Sequence, residues 1–423
     1  MEIRPFRGWR YCPADGDVGA LIAPPYDVLS AADKAALLAR DERNIVAVDL
    51  PHCPIDEAGP DGAYDEAAAT LAAWRRAAVL AQDPRPSLYA YQQSFTWAGR
   101  SYCRRTLVAA VRLAEFGQGV WPHERTFAGP PADRFKLNEK TGMQLSAVFG
   151  FYEDHAGVSE RLFAAADRPA DAAANLNGVA EKLWVVSDGD VIEAVRAELA
   201  GRDLFIADGH HRYTTGLRYR DSLGPIDPDH PANFILFALA AMNDPGLIIL
   251  PPHRVLTGLR DFDLKRFMAR TREVMDYQPI RLAAADVADA DALLRRHGRH
   301  TMAFAAGDSA VLGRLKDASV MDRVAAEQVP AWRELDVSVL HCLLIDQFLA
   351  GEKTERTHID YVAAGPAALA AATTGRADLV VFLQATRLDA IRQISLAGTV
   401  MPHKSTYFYP KIASGIVLYP LRP

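Results

Sequence analysis

The sequence predicts an α+β protein built from mixed sheets with flanking helices. Two adjacent aromatic and β-branched runs, residues 88–97 and 102–113, are joined through Ala98-Gly99-Arg100 and read as a β-hairpin. The middle of the chain alternates short apolar runs with helix-like stretches, which gives strand–turn–helix units. At 423 residues the chain exceeds what one core serves, at roughly 150 residues per domain, yet no linker is long enough to separate independent domains.

Ser30-Ala31-Ala32-Asp33 opens the first helix, with Ser30 as N-cap and Asp33 in the first turn, leading through residue 40. Residues 65–82 repeat the helical pattern. Then follow a strand at 183–186, a helix at 191–199, a strand at 204–207 and a helix at 212–223. The Gly, Pro and Asp cluster at 224–231 ends that helix, and 234–241 and 247–250 read as buried strands, the first also open to a helical reading. Helices are expected at 262–275, 285–297 and 336–349, with a strand at 302–305. A buried strand at 379–383, a helix at 388–395 and a terminal strand at 415–419 complete the chain. Cuts near 155 and 260 divide it into an N-terminal α+β portion (1–155), a central portion (156–260) and a C-terminal α/β portion (261–423).

Half the residues are hydrophobic and 24% are charged, the balance of a folded protein without extensive disorder. A net charge of −6 provides no basic field, so no nucleic-acid partner is expected. Residues 1–11 lack the apolar core of a signal peptide, and the apolar runs are too short to span a bilayer; a cytoplasmic protein without a membrane partner is expected. Cys12, Cys53, Cys103 and Cys342 form no C-x-x-C pair, which fits reduced thiols. H-E-x-x-H, G-x-S-x-G and G-x-G-x-x-G are absent, so zinc peptidase, serine hydrolase and dinucleotide oxidoreductase readings fall away.

The chemistry concentrates at Asp208-Gly209-His210-His211-Arg212-Tyr213, a polar cluster between the apolar run 204–207 and a helix-like stretch. A strand-to-helix turn of this kind suits an anion. First-turn N–H groups and the helix dipole favour phosphate, Gly209 lets the backbone approach, and Arg212 offers a charge-assisted contact. Asp208, at the strand end, is placed to hold Mg²⁺ or accept a hydroxyl proton, and His210 and His211 to donate to phosphate oxygens. In the plainer alternative Asp208 caps the helix and Arg212 makes a salt bridge.

This segment resembles the D-G-H-H-R form of the ADP-dependent free-serine kinases in the ParB/sulfiredoxin-like superfamily, enzymes that phosphorylate serine at its hydroxyl. Over nearly its full length the chain also resembles the bacterial and archaeal family called domain of unknown function 1015. That likeness rests on Pro24-Pro25-Tyr26-Asp27-Val28-Leu29, Pro122-His123-Glu124-Arg125-Thr126, the DGHHRY segment, and Lys404-Ser405-Thr406-Tyr407-Phe408-Tyr409-Pro410-Lys411. The resemblance implies a central ParB/sulfiredoxin-like unit packed with N- and C-terminal α/β portions. Only Asp208, Gly209, His210, His211 and Arg212 carry over from the kinases.

Three further segments present candidate groups. Glu124 is the best second carboxylate for base work or Mg²⁺, with His123 beside it and Asp133-Arg134 following; the alternative is a solvated loop. His253 and Arg254, after Pro251-Pro252, offer a second cationic phosphate contact. Lys404, beside Ser405-Thr406, resembles phosphate-binding chemistry without the glycine-rich lead of a P-loop, and an edge strand is the competing reading.

These features point to phosphoryl transfer on a small molecule, with Mg²⁺ and ATP or ADP as cofactors and a phosphorylated small molecule as ligand. In the expected site Asp208, Glu124 and His210 are catalytic. Gly209, His211, Arg212, His253, Arg254 and Lys404 bind the cofactor, and Asp208 and Glu124 hold the metal. A phosphatase acting on a compound such as phosphoserine, and a non-enzymatic nucleotide-dependent switch or scaffold, are the alternatives.

Overall fold

The computed structural model describes the chain except residues 15, 55–56 and 126–128 and the side chains of 129–131. The architecture is α+β. The chain forms two compact units, one from Met1–Leu247 together with Pro410–Pro423 and one from Ile248–Tyr409. This division differs from the expected cuts near 155 and 260. Strand pairing is the reason: a break at 155 would separate strands that lie side by side in one sheet.

The strands of that sheet are β1 (Ile3–Arg4), β2 (Leu88–Trp97), β3 (Arg100–Arg112), β4 (Val120–Trp121), β5 (Val148–Tyr152), β6 (Ala172–Leu176), β7 (Val179–Val186), β8 (Leu204–Asp208) and β9 (Phe234–Ala241). Their order is β4-β8-β5-β9-β3-β2-β7-β6, with β1 alongside β3. β8 runs parallel to β4 and β9 parallel to β5, and the other pairs are antiparallel. The expected hairpin is present as β2 and β3.

Helices α1 (Ala31–Arg40), α2 (Asp61–Arg76), α3 (Gly129–Thr141), α4 (Gly189–Leu199) and α5 (His210–Ser222) belong to this unit. Ser30 caps α1 in a reciprocal capping box with Asp33. One face of the sheet buries Ala90, Leu107, Ile206 and Phe237 with Val195 of α4 and Tyr213 of α5. The opposite face is buried as well, since successive strand side chains alternate and all eight residues of β9 are inaccessible. Burial on both faces explains why β9 reads as an unbroken apolar run.

The second unit holds a six-stranded antiparallel sheet of β11 (His253–Thr257), β12 (Met275–Pro279), β13 (Thr301–Ala306), β14 (Ser309–Leu315), β15 (His358–Val362) and β16 (Leu379–Phe382). Their order is β12-β14-β13-β16-β11-β15. β10 (Ile248–Leu250) and β17 (Tyr407–Tyr409), where the chain enters and leaves this unit, pair antiparallel with each other. Helices α6 (Leu264–Thr271), α7 (Gly365–Thr373) and α8 (Leu388–Leu396) complete the elements used below.

Several expected elements are shorter. The helix expected at 65–82 ends at Arg76, where Ala78 turns into the left-handed region with φ of 56°, and Leu80–Gln82 is extended. The helix expected at 262–275 is α6 followed by β12. That at 285–297 is split into Ala284–Val287 and Ala290–Arg295, and that at 336–349 widens into π winding over Val339–Phe348. The terminal strand shrinks to Tyr419–Pro420.

Candidate functional site

β8 ends at Asp208, and its pairing with β5 slips between Ile206 and Asp208, an irregularity that changes the direction of the last strand residue. Gly209 follows in the left-handed region with φ of 89°, and α5 begins with no side-chain cap. A Cβ at Gly209 would stand 2.8 Å from Arg212 Nε, so glycine is required both by the backbone angle and by the guanidinium folded over it. The first-turn N–H groups of α5 therefore sit beside a carboxylate and an arginine.

Asp208 Oδ2 lies 3.2 Å from Lys411 Nζ and 3.4 Å from Arg212 Nη2, and the Asp208 side chain is only 20% exposed. Burial disfavours its charge, yet Lys411 and then Arg212 outweigh that, and the carboxyl is held well below its ordinary range. A carboxylate so held is a weak proton acceptor at neutral pH but a persistent negative charge. Arg212, also buried, donates through Nη1 to the Ala147 carbonyl, while its buried Nε has no hydrogen-bond partner among the described residues.

His210 is buried, and its Nε2 accepts the His123 main-chain N–H at 3.2 Å. That bond places the His210 proton on Nδ1. His123 Nδ1 in turn donates to the Ile206 carbonyl at 2.7 Å, and the two rings meet edge to face at 4.7 Å. Burial pushes the His123 imidazole down to about 4 and His210 well below its usual value, so both are neutral at physiological pH. Together they fasten residue 123, and with it Glu124, to the end of β8.

A second arginine backs the first. Arg134 Nη1 donates to the Asp49 carbonyl at 2.7 Å and carboxylate at 3.0 Å, its Nη2 lies 2.5 Å from Asp133, and its guanidinium stacks 3.8 Å over the Tyr26 ring. Tyr64 donates to Asp133 at 2.5 Å, and Ser146 to Asp49 at 2.8 Å. A cavity of about 30 Å³ separates Arg134 from Arg212, with Asp49, Asn138, Ser146 and Thr215 in its wall. The first unit thus gathers Tyr26, His123, Asp133-Arg134, Asp208–Arg212 and Lys411 from segments far apart in sequence.

The remaining expected residues fall as follows. Glu124 is half-buried beside His123, His211 is half-buried on the first turn of α5, and Thr126 lies outside the described residues. His253 and Arg254 belong to β11 of the second unit. Both are buried: Arg254 donates from Nε to His341 at 3.0 Å, His253 accepts from the Leu383 N–H at 3.3 Å, and burial, with Arg254 nearby, pushes His253 down to about 3. Lys404 also belongs to the second unit and is exposed. The lysine that reaches Asp208 is Lys411, at the other end of the segment that suggested Lys404; a cation in a segment rich in Tyr and Ser was the available signal.

Among the described residues no three His, Cys, Asp or Glu side chains group as a metal cage, and no helix is long and apolar enough to cross a membrane. A search of curated proteins finds no match. Solved structures with some similarity include a free serine kinase in complex with AMP, at 12% identity and TM-score 0.34 over 73% of this chain and 92% of that chain. A conserved hypothetical protein from Pyrococcus furiosus matches at 14% identity and TM-score 0.34 over the same shares. SbnI with C-terminal truncation, from Staphylococcus aureus, matches at 11% identity and TM-score 0.36 over 74% of this chain and 87% of that chain. Identities this low transfer no residue assignment. The family match is of another order: residues 3–338 fit the family described as protein of unknown function (DUF1015), and the chain belongs to it.

Proposed function

We propose that the first unit binds a phosphorylated small molecule at the Gly209 turn and transfers a phosphoryl group between a nucleotide and a small hydroxyl compound. The observation that carries this reading is the uncapped start of α5 beside a buried guanidinium, Arg212, and two mostly covered charges, Asp208 and Lys411. Arg212 keeps an unpartnered buried donor, and Lys411 and the first-turn amides supply the rest of an anion cradle. Gly209 permits close approach, His211 lies on the same turn, and His210 fixes the His123 main chain. Serine as the acceptor is suggested by the resemblance of Asp208–Arg212 to the free-serine kinases.

In this reading the bond from phosphorus to the departing nucleotide oxygen breaks as a bond to the acceptor hydroxyl oxygen forms, and Glu124 takes the hydroxyl proton. Asp208, too weakly basic for that task, anchors charge. A Mg²⁺ arriving with the nucleotide's phosphates would be held by Asp208, leaving Glu124 for the proton, and would neutralise phosphate charge. The proposed cradle uses residues of the first unit; His253, Arg254 and Lys404 belong to the second.

The test is thermal stabilisation of the full chain by ADP, ATP, pyrophosphate and phosphoserine, each with and without Mg²⁺. A ligand at one hundred times its Kd stabilises by roughly 2.7 kcal/mol, a readily measured shift. Formation of phosphoserine from serine and nucleotide supports the kinase. Release of phosphate from phosphoserine without nucleotide indicates a phosphatase, and binding without turnover a switch. If no phosphorylated compound moves the midpoint, the anion cradle is wrong.

A further inference from the structure

The first unit buries a row of polar side chains that the proposed reaction does not use. Glu181, Gln93 and Arg104 are direct cross-strand neighbours on β7, β2 and β3, where Glu181 pairs with Gln93 and Gln93 with Arg104. Gln93 and Arg104 are fully inaccessible and Glu181 is 2% exposed. Three polar groups in register inside a sheet are costly unless every one of them is bonded.

Their bonds converge on one short stretch of main chain. Gln93 Nε2 donates to Glu181 Oε1 at 3.0 Å and to the Lys411 carbonyl at 2.9 Å. Arg104 Nη2 donates to Gln93 Oε1 and, at 2.6 Å, to the Pro410 carbonyl. Tyr91 donates to Glu181 Oε2 at 2.5 Å and is bonded by the Ala413 main chain. Residues 410, 411 and 413 are therefore all held by the row, and the side chain of the middle one of these reaches Asp208.

We infer that Glu181 is the positioning residue for Lys411, orienting Gln93 and Tyr91 so that the 410–413 main chain delivers the lysine ammonium to Asp208. This rests on the assignment of Asp208 and Lys411 to the proposed cradle. Both carboxylate oxygens of Glu181 act as acceptors. One accepts from Gln93, which turns that amide so that its second N–H meets Lys411 and its oxygen meets Arg104. A proton on Glu181 converts one acceptor into a donor, and the row then no longer closes.

The groups that face Glu181 are Tyr91, Gln93 and Arg104, and Arg104 is the only cation among them. Burial raises the Glu181 carboxyl to about 7 against those three, and lowers the Arg104 guanidinium to about 10. The row thus changes its bonding near neutral pH, with the closed form on the alkaline side.

Hydrogen exchange at the Lys411, Ile412 and Ala413 amides reads the row without any ligand. In the wild-type full chain, exchange corrected for its intrinsic pH dependence should quicken by about tenfold between pH 8 and pH 6. Glu181→Gln, close in size but never ionised, should exchange at the faster rate at both pH values, and Tyr91→Phe should lie between. Binding of pyrophosphate with Mg²⁺ to Glu181→Gln should weaken by about threefold or more at pH 8 and converge on wild type at pH 6.

A flat wild-type exchange profile, or wild-type exchange in Glu181→Gln at pH 8, overturns the inference. If Glu181→Gln does not fold, the wild-type profile alone decides. A wild type that shows the exchange profile but binds no phosphorylated compound retires the proposed function and leaves the positioning of Lys411 intact.

Discussion

Two strand–turn–helix transitions of the chain treat charge differently. β8 passes into α5 through the single residue Gly209, whereas β16 passes into α8 through residues 383–387, and neither helix has a side-chain cap. At the first, Arg212 is buried and Asp208 and Lys411 are mostly covered beside it. At the second, Arg387 pairs with Asp389 at 3.0 Å and Arg299 with Glu334 at 2.8 Å, both in the open, while His300 meets Asp336 at 2.9 Å. Those groups line a cavity of about 390 Å³, far roomier than the small void beside Arg212. Space and buried charge are thus found at different turns. Burying charge costs stability that an exposed pair never risks, and the crowded turn is the one that carries this cost.

That contrast can be broken by substitution. Arg212→Ala removes a buried guanidinium that bonds the Ala147 carbonyl and Asp208, while Lys411 stays on the carboxylate, and should destabilise the protein by about 1.5–3 kcal/mol in chemical denaturation. A loss below about 1 kcal/mol, the level of surface pairs, would erase the distinction between the turns. Acid offers a second route. His123 is neutral in the fold down to about pH 4 but protonates near 6.5 when unfolded, so the native state binds fewer protons in that window. The His123 contribution to stability should therefore fall as pH drops from 6.5 to 4, by up to about 1.4 kcal/mol per unit on top of what His210 and His253 contribute, and His123→Phe should reduce the slope by that share. Identical slopes in the two proteins would remove His123 from the account.

Gly209→Ala should cost about 1–2 kcal/mol from the left-handed backbone alone. It should also weaken pyrophosphate binding, because the added methyl displaces the Arg212 guanidinium; binding at wild-type strength would show that Arg212 is not part of the cradle. The smallest effect belongs to the second turn. Arg387→Ala should change the unfolding free energy by less than about 0.5 kcal/mol, since its pair with Asp389 is local and exposed.

How far the sequence revealed this arrangement depended on the range of the interactions. Where the physics is local it was readable: the Ser30–Asp33 capping box, β2 and β3 as a hairpin, β9 as a buried strand, and the turn at Gly209 between 204–207 and a following helix. Helix ends were less so, because Ala78 breaks α2 with an angle its residue type does not announce. The partners of the site were least visible. Asp208 reads as a Mg²⁺ ligand or a proton acceptor, whereas Lys411 and Arg212 hold it as a charge, and spacing along the sequence does not say which lysine of 404–411 meets position 208. Glu181, Gln93 and Arg104 look like ordinary polar residues of three strands until cross-strand register aligns them.

The first unit is discontinuous. Gln93 and the Lys411 carbonyl it grips stand 318 positions apart, and the whole of Ile248–Tyr409 is made between the two contributions. A ribosome emitting this chain delivers Asp208, Gly209 and Arg212 long before the lysine that pairs with Asp208. Until residues 410–413 emerge, Asp208 lacks its lysine and the row of polar strand residues lacks its main-chain partners, while the intervening unit, continuous in sequence, is free to fold first. Completion of the charge cluster at Asp208 is therefore expected to be a late event, dependent on synthesis having run past position 413.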